Sequence, residues 1–551
     1  MLNRLTFGTG RWWGIAVAFA ALVCTASARG QTKLELQDRW IYFATNLLVD
    51  KNVDEIEAIF KRAGAAGYNG VLLSDSKFGR LSQMEPRYFR NVDRVKKLAQ
   101  NDGLEIIPAL FPMGYSESLL SHDPNLAEGL PVKDALFEVH AGEARLVADP
   151  TVGLPNMTEF RKWGFHDENV AADAARGTVV MRADGKNARL SLKLKLHPFR
   201  QYHVAVQVKS QDFRGTPEVK VLGKDGMSLI YSNLGVKPTQ DWTLHHAVFN
   251  TLDQGEVNVY FGAWGAASGT LWWKEAKLEE IGLVNLIRRD GAPLTIRRES
   301  DQALLTEDRD FAKLIDPKSG TVPWPGAFDI YHEPPIIKTT GLADGTRLRV
   351  SYYHVVTVYD GQVAACMSEP KTYELLKDEA KRLHAAFGAK AYFMSHDEIR
   401  VANWDEACQK RHLDAGEILA DNVRRCTKIL QEVNPGGRIY VWSDMFDPNH
   451  NAHDQYYLVR GNWAKSWEGL DPQTIIALWY REKRDDSLKF FADRHHPMIV
   501  AGYYDAPVEN LRAWLDSAAK VGGVRGVIYT TWQHNYRDLE AFAKIINEYR
   551  K

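Results

Sequence analysis

The sequence predicts an α/β protein: a (β/α)8 TIM-type barrel that carries an inserted all-β jelly-roll domain, or β-sandwich. Two different hydrophobic patterns along the chain predict this fold. Short apolar runs alternate with amphipathic helical stripes over residues 32–140 and again over 295–551, whereas residues 141–294 hold strands separated by Gly, Asp and Asn turns. The 551 residues also exceed what one hydrophobic core usually sustains, so at least two domains are expected.

The first barrel segment contains three strand candidates with helical stripes between them. Residues 40–43, 70–73 and 105–110 are short apolar runs. Apolar residues at helical spacing, such as Ile56 and Phe60, mark the buried face of the first helix. A strand, helix, strand order implies parallel pairing through right-handed crossovers.

The second barrel segment contributes six more strand candidates: residues 348–353, 391–395, 439–442, 475–479, 499–503 and 527–530. The total of nine exceeds the eight strands of a closed barrel, so one candidate is expected to lie outside it. An open doubly wound sheet is the alternative architecture. Residues 46–48, however, are Asn-Leu-Leu, where such a fold places a Gly-rich phosphate loop after its first strand.

The inserted segment alternates apolar and polar residues at the period of a strand. Residues 202–208, 219–221 and 257–260 show this pattern, which favours a β-sandwich of jelly-roll type. Because neighbours on a strand point to opposite faces, we expect one of Trp272 and Trp273 to be exposed. The segment resembles carbohydrate-binding modules of the galactose-binding jelly-roll kind.

The N-terminus predicts a signal peptide over residues 1–28. Arg4 and Arg11 supply its positive region, residues 15–23 form a short apolar run, and residues 26–28 are small enough for cleavage. We therefore expect export, to the periplasm or outside the cell. No later segment reaches the length of a membrane span.

Charge and cysteine content exclude several classes of partner. A formal net charge of −1 gives no electrostatic reason to expect nucleic acid or an anionic membrane surface. Beyond the predicted signal peptide, the cysteines are Cys366, Cys408 and Cys426, which allow one disulfide and show no CxxC zinc spacing. The sequence therefore predicts no metal and no cofactor, and it leaves the oligomeric state open.

The ends of the strand candidates are rich in aromatic and acidic residues, and a barrel places its catalytic residues there. They include Asn46, Asp75, Tyr353, His354, His396, Asp397, Glu398, Trp442, Asp444, Trp479, Tyr480, Tyr503, Tyr504, Asp505 and Trp532. Aromatic rings stack on the apolar faces of sugars, and carboxylates accept hydrogen bonds from hydroxyl groups. Basic residues, which a phosphate substrate would require, are nearly missing from this set. A glycan or oligosaccharide substrate is therefore expected.

Asp397 and Glu398 are the strongest catalytic candidates. Two acids directly after an apolar strand are well placed to turn into a pocket at its mouth. Two carboxyl groups held close together raise the pKa of one of them, which keeps an acid beside an anion at neutral pH. Glycosidic cleavage needs that combination. An acidic surface loop or a helix N-cap is the ordinary alternative.

The stretch from Tyr392 to Arg400 resembles the Asp-Glu motif of family 20 β-N-acetylhexosaminidases and of related β-N-acetylgalactosaminidases that carry a jelly-roll insert. In that family the nucleophile is the 2-acetamido oxygen of the substrate itself. Ser395 and His396 stand where glycines are usual, and Asn46 stands where the family's sugar-binding Arg follows the first strand. These departures indicate a divergent relative.

The resemblance implies an exo-acting β-N-acetylhexosaminidase, leaning towards GalNAc, that retains configuration by substrate-assisted catalysis. Asp397 would orient the acetamido N–H, and Glu398 would act as general acid and then as base. Trp442, Trp479 and Trp532 would wall the acetamido pocket, and Tyr480 or Tyr504 would donate to the acetamido carbonyl. Substrate binding is also predicted for the strand-end residues His396, Asp444, Tyr353 and Asn46.

Three other functions stay open at this point. A retaining glycosidase with its own nucleophile would use Asp444 or Asp505 for the attack, beside Glu398 as acid and base. A secreted carbohydrate-binding protein on an inactive barrel would bind sugar without cleaving it. A metal-dependent polysaccharide deacetylase is the weakest of the three.

Overall fold

The computed structural model describes residues 33–319, 324, 328–359 and 361–551, so the predicted signal peptide lies outside the described residues. Eight parallel strands close into a barrel, which confirms the predicted fold class. In order around the barrel they are β1 (Asp38–Thr45), β2 (Gly70–Asp75), β3 (Glu105–Leu110), β4 (Ala391–Met394), β5 (Arg438–Trp442), β6 (Ile475–Leu478), β7 (Met498–Ala501) and β8 (Val524–Tyr529). The last strand pairs with the first, Asp38 opposite Gly526.

Seven longer helices pack around the described barrel: α1 (Asp50–Ala66), α2 (Pro86–Asn101), α3 (Pro370–Phe387), α4 (Ala415–Val433), α5 (Arg484–Ala492), α6 (Asn510–Val521) and α7 (Leu539–Tyr549). Their ends follow from local chemistry. Asp414 and Glu417 form a capping box at the start of α4, and Gly67 ends α1 at φ 91°. None of the helices in the described ranges is long and apolar enough to cross a bilayer.

The inserted domain consists of two antiparallel sheets. One has the strand order Gln240–Asn250, Gln201–Arg214, Ser268–Ile281, Thr178–Arg182 and Val170–Asp173, and the other has the order Pro217–Gly223, Glu256–Ala263, Ala188–Lys195 and Phe165–His166. Their inner faces share one apolar core. Trp273 is buried in it and Trp272 is only partly buried, as the alternation of a strand requires.

One of the nine strand candidates lies outside the barrel, in a third sheet that is antiparallel. The candidate at residues 348–353 belongs to Arg347–His354, which pairs with Leu130–His140 and not with the barrel. The same sheet contains Glu143–Leu146, Leu286–Ile287, Thr295–Arg298 and Ile337–Lys338. Tyr353 is therefore not at the mouth of the barrel.

The N-terminal end of the barrel is closed by side chains. Asp38 accepts hydrogen bonds from Tyr440 Oη and Arg525 Nε, each at 2.8 Å, and Trp40 packs on Tyr440 with ring centroids 4.5 Å apart. Above this plug, Ile107 and other buried side chains of the strands fill the interior. Open space is therefore found at the opposite end, where the strands terminate.

Candidate active site

A cavity of about 870 Å³ opens at the C-terminal ends of the barrel strands. This is the end where barrels of this class place their sites, and the volume suits a small ligand. Its lining includes Tyr42, Asp75, Tyr115, Asp397, Glu398, Trp442, Trp479, Tyr504 and Trp532. Of these, Asp397, Glu398, Trp442, Trp479, Tyr504 and Trp532 were predicted substrate or catalytic residues.

The backbone at Asp397 and Glu398, the acid pair, is held in an unusual conformation. Glu398 has φ 49°, in the left-handed region that non-glycine residues rarely adopt outside constrained sites. Its N–H donates to Asp444 Oδ2 at 2.9 Å, and its carbonyl accepts from Gln362 Nε2 at 2.7 Å. Gly114 packs so closely that a Cβ there would overlap the carbonyl oxygen of Asp397. The turn that aims both acids is thus fixed from three sides.

Burial and neighbouring charge favour a protonated aspartate at the acid pair. Burial raises the pKa of Asp397 well above its usual range, and the charges of Asp444 and Glu398 raise it further. Burial raises the pKa of Asp444 as well. Because the two carboxyl groups titrate together, the proton belongs to the pair of aspartates. The site therefore holds a protonated carboxyl at neutral pH.

The Glu398 carboxylate is positioned through one oxygen. Oε2 accepts a hydrogen bond from Tyr115 Oη and lies 2.6 Å from Arg400 Nη2. Arg400 in turn is buried under Tyr359 and Tyr457, with both ring centroids 5.0 Å from its guanidinium carbon. The side chain of Glu398 remains 25% exposed, so it faces the cavity from a fixed position.

Four aromatic side chains wall the cavity beside the acid pair. Trp479 and Tyr504 lie parallel with centroids 5.5 Å apart, and Trp532 meets Tyr504 edge-on at 5.7 Å. Trp442 stands 6.3 Å from Trp532, which is 46% exposed at the rim. Flat rings at nearly right angles form a corner that fits the apolar faces of a sugar ring.

Asp444 and Asp505, the two candidate nucleophiles, have structural contacts instead. Asp444 is fully buried behind the acid pair and also accepts from Trp479 Nε1 at 3.4 Å. Asp505 accepts from Thr531 Oγ1 at 2.6 Å and from Trp532 N at 2.7 Å, which holds the loop that carries this Trp. Neither carboxyl group lines the cavity.

The other four predicted substrate contacts lie away from the cavity lining. His396 is buried against Asn422, with Nε2 and Oδ1 2.9 Å apart, and burial lowers its pKa to about 4. Tyr480 stacks on a neighbouring His ring, Asn46 accepts from a backbone N–H in the turn before α1, and Tyr353 belongs to the third sheet. His396 and Tyr480 follow barrel strands, but neither side chain belongs to the cavity lining.

The cavity lining also contains residues that the sequence did not single out. Arg80 lies in the 3-10 helix Phe78–Gln83, Glu117 begins the short α-helix Glu117–Leu120, and Glu379 comes from α3. Burial raises the pKa of Glu379 to about 8, and its Oε1 accepts from Phe111 N at 3.3 Å. Glu379 did leave a sequence signal, because it interrupts the apolar stripe of α3, but a residue of a short 3-10 helix such as Arg80 leaves none.

No protein-family model matches the sequence, and no curated protein matches it. Several solved structures are similar to it in fold. They include a rhamnosidase from Novosphingobium sp. PP1Y (13% identity, TM-score 0.35, 94% of this chain and 58% of that one), the chitobiase of Flavobacterium johnsoniae (9%, 0.38, 93% and 48%) and a β-N-acetylhexosaminidase from Bacteroides fragilis NCTC 9343 (9%, 0.37, 94% and 65%).

These structural neighbours are glycoside hydrolases. The present chain spans 58% of the rhamnosidase and 48% of the chitobiase. TM-scores of 0.35–0.38 carry no argument about activity, so any functional conclusion has to come from the site itself.

Proposed function

We propose that the protein is an exported glycoside hydrolase that removes terminal N-acetylhexosamine, with GalNAc preferred, by substrate-assisted catalysis. The observation that carries the proposal is the acid pair at the edge of an aromatic-walled cavity, with a protonated carboxyl held among Asp397 and Asp444. Glycosidic cleavage requires two carboxyl groups with separate roles, and the aromatic rings beside them offer a surface for the sugar.

In the proposed reaction, the 2-acetamido oxygen attacks the anomeric carbon while Glu398 gives its proton to the leaving oxygen. The glycosidic bond breaks and a cyclic oxazolinium ion forms. When substrate binds, the proton held by Asp397 and Asp444 passes to the Glu398 carboxylate, which donates it to the leaving oxygen, and the ionised Asp397 accepts a hydrogen bond from the acetamido N–H. Glu398, now ionised, takes a proton from water as the water attacks the anomeric carbon and reopens the ring.

The surroundings of the two acids support this division of roles. Tyr115 and Arg400 hold Glu398 by one oxygen, so the carboxyl group can exchange a proton without losing its position. Asp397 lies deeper and next to Asp444, in a place suited to an amide and not to bulk water. Trp442, Trp479 and Trp532 offer the apolar surface for the acetamido methyl group and the sugar face.

A panel of four aryl glycosides tests the proposal. Aryl β-GalNAc and β-GlcNAc should be hydrolysed, whereas aryl β-galactoside and β-glucoside should not be, because they lack the acetamido nucleophile. Comparable hydrolysis of the plain galactoside would overturn the substrate-assisted mechanism. Binding of sugar without any release of chromophore would instead favour a carbohydrate-binding protein.

A further inference from the structure

Four buried side chains of metal-binding type meet outside the cavity. Glu128, Cys366, Asp405 and Cys408 are each at most 3% exposed, and their ligand atoms all lie within 4.8 Å of one another. We propose that this thiol–carboxylate cluster is a structural binding site for a divalent cation, and that the cation is Zn²⁺.

The distances within the cluster match those around tetrahedral zinc. The sulfurs of Cys366 and Cys408 are 3.7 Å apart, and Glu128 Oε2 lies 3.6 Å from the Cys408 sulfur. Two Zn–S bonds of about 2.3 Å at a tetrahedral angle place their sulfurs about 3.8 Å apart, and a Zn–O bond of about 2.0 Å places oxygen about 3.5 Å from sulfur. A single ion can therefore contact all three atoms with little movement.

The backbone contacts of Glu128 orient its other oxygen towards that point, and Asp405 lies beside it. Glu128 uses Oε1 to accept from Trp404 N at 2.7 Å and Asp405 N at 3.1 Å, which directs Oε2 to the sulfurs. Asp405 caps the short helix Glu406–Gln409 by accepting from Cys408 N at 3.0 Å. Partners of this kind hold metal ligands in place in known sites.

The charge of the cluster also calls for a cation. Among the described residues, Arg289 is the one basic side chain that forms an ion pair with the cluster: it contacts Asp405, and it also lies 3.0 Å from Glu369, which is outside the cluster. Arg289 therefore compensates Asp405, whereas Glu128 has no basic side chain as an ion-pair partner in the described part of the chain. Buried acids need compensating charge, and a donor set of two thiols with carboxylates favours Zn²⁺ over Mg²⁺ or Ca²⁺.

The cluster is connected to the acid pair through one short segment. Glu128 N donates to Ala364 O at 2.9 Å, and Cys366 N donates to Leu126 O at 2.9 Å. The same segment contains Gln362, which contacts both the carbonyl of Glu398 and the guanidinium of Arg400. A cation bound by Cys366 would thus stabilise the segment that positions Glu398.

Metal analysis of the full chain, purified without chelator, tests the proposal directly. We expect about one zinc per chain. The zinc content of the Cys366→Ser/Cys408→Ser variant should be at least about tenfold lower than that of the unaltered chain. The Cys426→Ser variant loses a buried thiol of α4 outside the cluster and should retain its zinc. Zinc content that is the same in all three proteins would overturn the assignment.

A second measurement on the unaltered chain applies even if the double variant does not fold. Metal-stripped protein titrated with Co²⁺ should develop a thiolate-to-cobalt charge-transfer band and tetrahedral d–d bands, saturating at about one equivalent. Added Zn²⁺ should abolish these bands and raise Tm. Absence of the bands, or a Cys366–Cys408 disulfide in peptide mass analysis of the freshly purified protein, would refute the site.

Discussion

The acid pair and the thiol–carboxylate cluster both contact the segment from Gln362 to Cys366, and they are built differently. The acid pair faces a cavity of about 870 Å³ with aromatic walls, whereas the ligand atoms of the thiol–carboxylate cluster face one another within 4.8 Å. Carboxyl groups that line an open cavity can exchange protons with a bound ligand. Acids that converge on one point hold a cation. The direction in which the side chains point, more than the residue types, distinguishes the proposed catalytic site from the proposed structural metal site.

The largest effect is expected when the proton donor of the acid pair is replaced. Glu398→Gln should lower turnover of glycosides with poor leaving groups by about 10²–10⁴-fold, because the leaving oxygen is no longer protonated. Aryl substrates with activated leaving groups should lose much less. Rates for both substrate types, with unchanged Tm as the check on folding, measure the difference. Equal losses on the two substrates would contradict the role of Glu398 as acid.

Asp397→Asn should produce the next largest effect and a different pattern. Losing the carboxylate that supports the acetamido N–H should cost about 10²–10³-fold on both substrate types, since it acts on the attack and not on the leaving group. The measurement is kcat on the same two substrates. A loss confined to poor leaving groups would mean that Asp397, and not Glu398, is the proton donor.

Gly114→Ala tests the backbone support of the acid pair without removing an acid. The added Cβ would collide with the carbonyl of Asp397 and displace the turn, so kcat should fall roughly ten- to a hundredfold. Gly153→Ala is the matched control, because a Cβ there meets nothing within 4 Å. Similar activity of the two variants would show that the close packing does not position the pair.

The smallest effect concerns stability and a third buried acid, Glu379. Burial raises its folded pKa to about 8, while its unfolded pKa is about 4.3. Between those values the folded chain keeps a proton that the unfolded chain releases, so stability falls as pH rises through this window. Glu379→Gln should weaken that slope by on the order of 1 kcal/mol per pH unit.

Urea unfolding of wild type and Glu379→Gln at pH 5 and pH 8 measures this contribution. The variant should gain stability relative to wild type at pH 8 and not at pH 5. A parallel pH dependence for both proteins would show that Glu379 is already ionised in the folded state at pH 5, which would contradict the raised pKa. Glu117→Gln offers a comparison at a less buried acid of the same cavity.

Much of the barrel follows from local sequence patterns. Short apolar runs such as residues 475–478 indicate buried strands, and stripes such as that of α4 indicate helices with one packed face, so strand and helix order is readable. The position of Asp397 and Glu398 directly after β4 is likewise local. Their neighbours His396 and Tyr480 were predicted to bind substrate, yet a strand end does not determine which side chains turn inwards.

By itself, the sequence determined the class of fold, the inserted β-domain and the acid pair at a strand end, because each depends on periodicity over a few residues. Only the tertiary structure assigned Arg347–His354 to a separate sheet and brought Glu128 to Cys366 and Cys408. Those outcomes depend on contacts between residues hundreds of positions apart. Such contacts are set by the packing of the whole chain, and no local pattern records them.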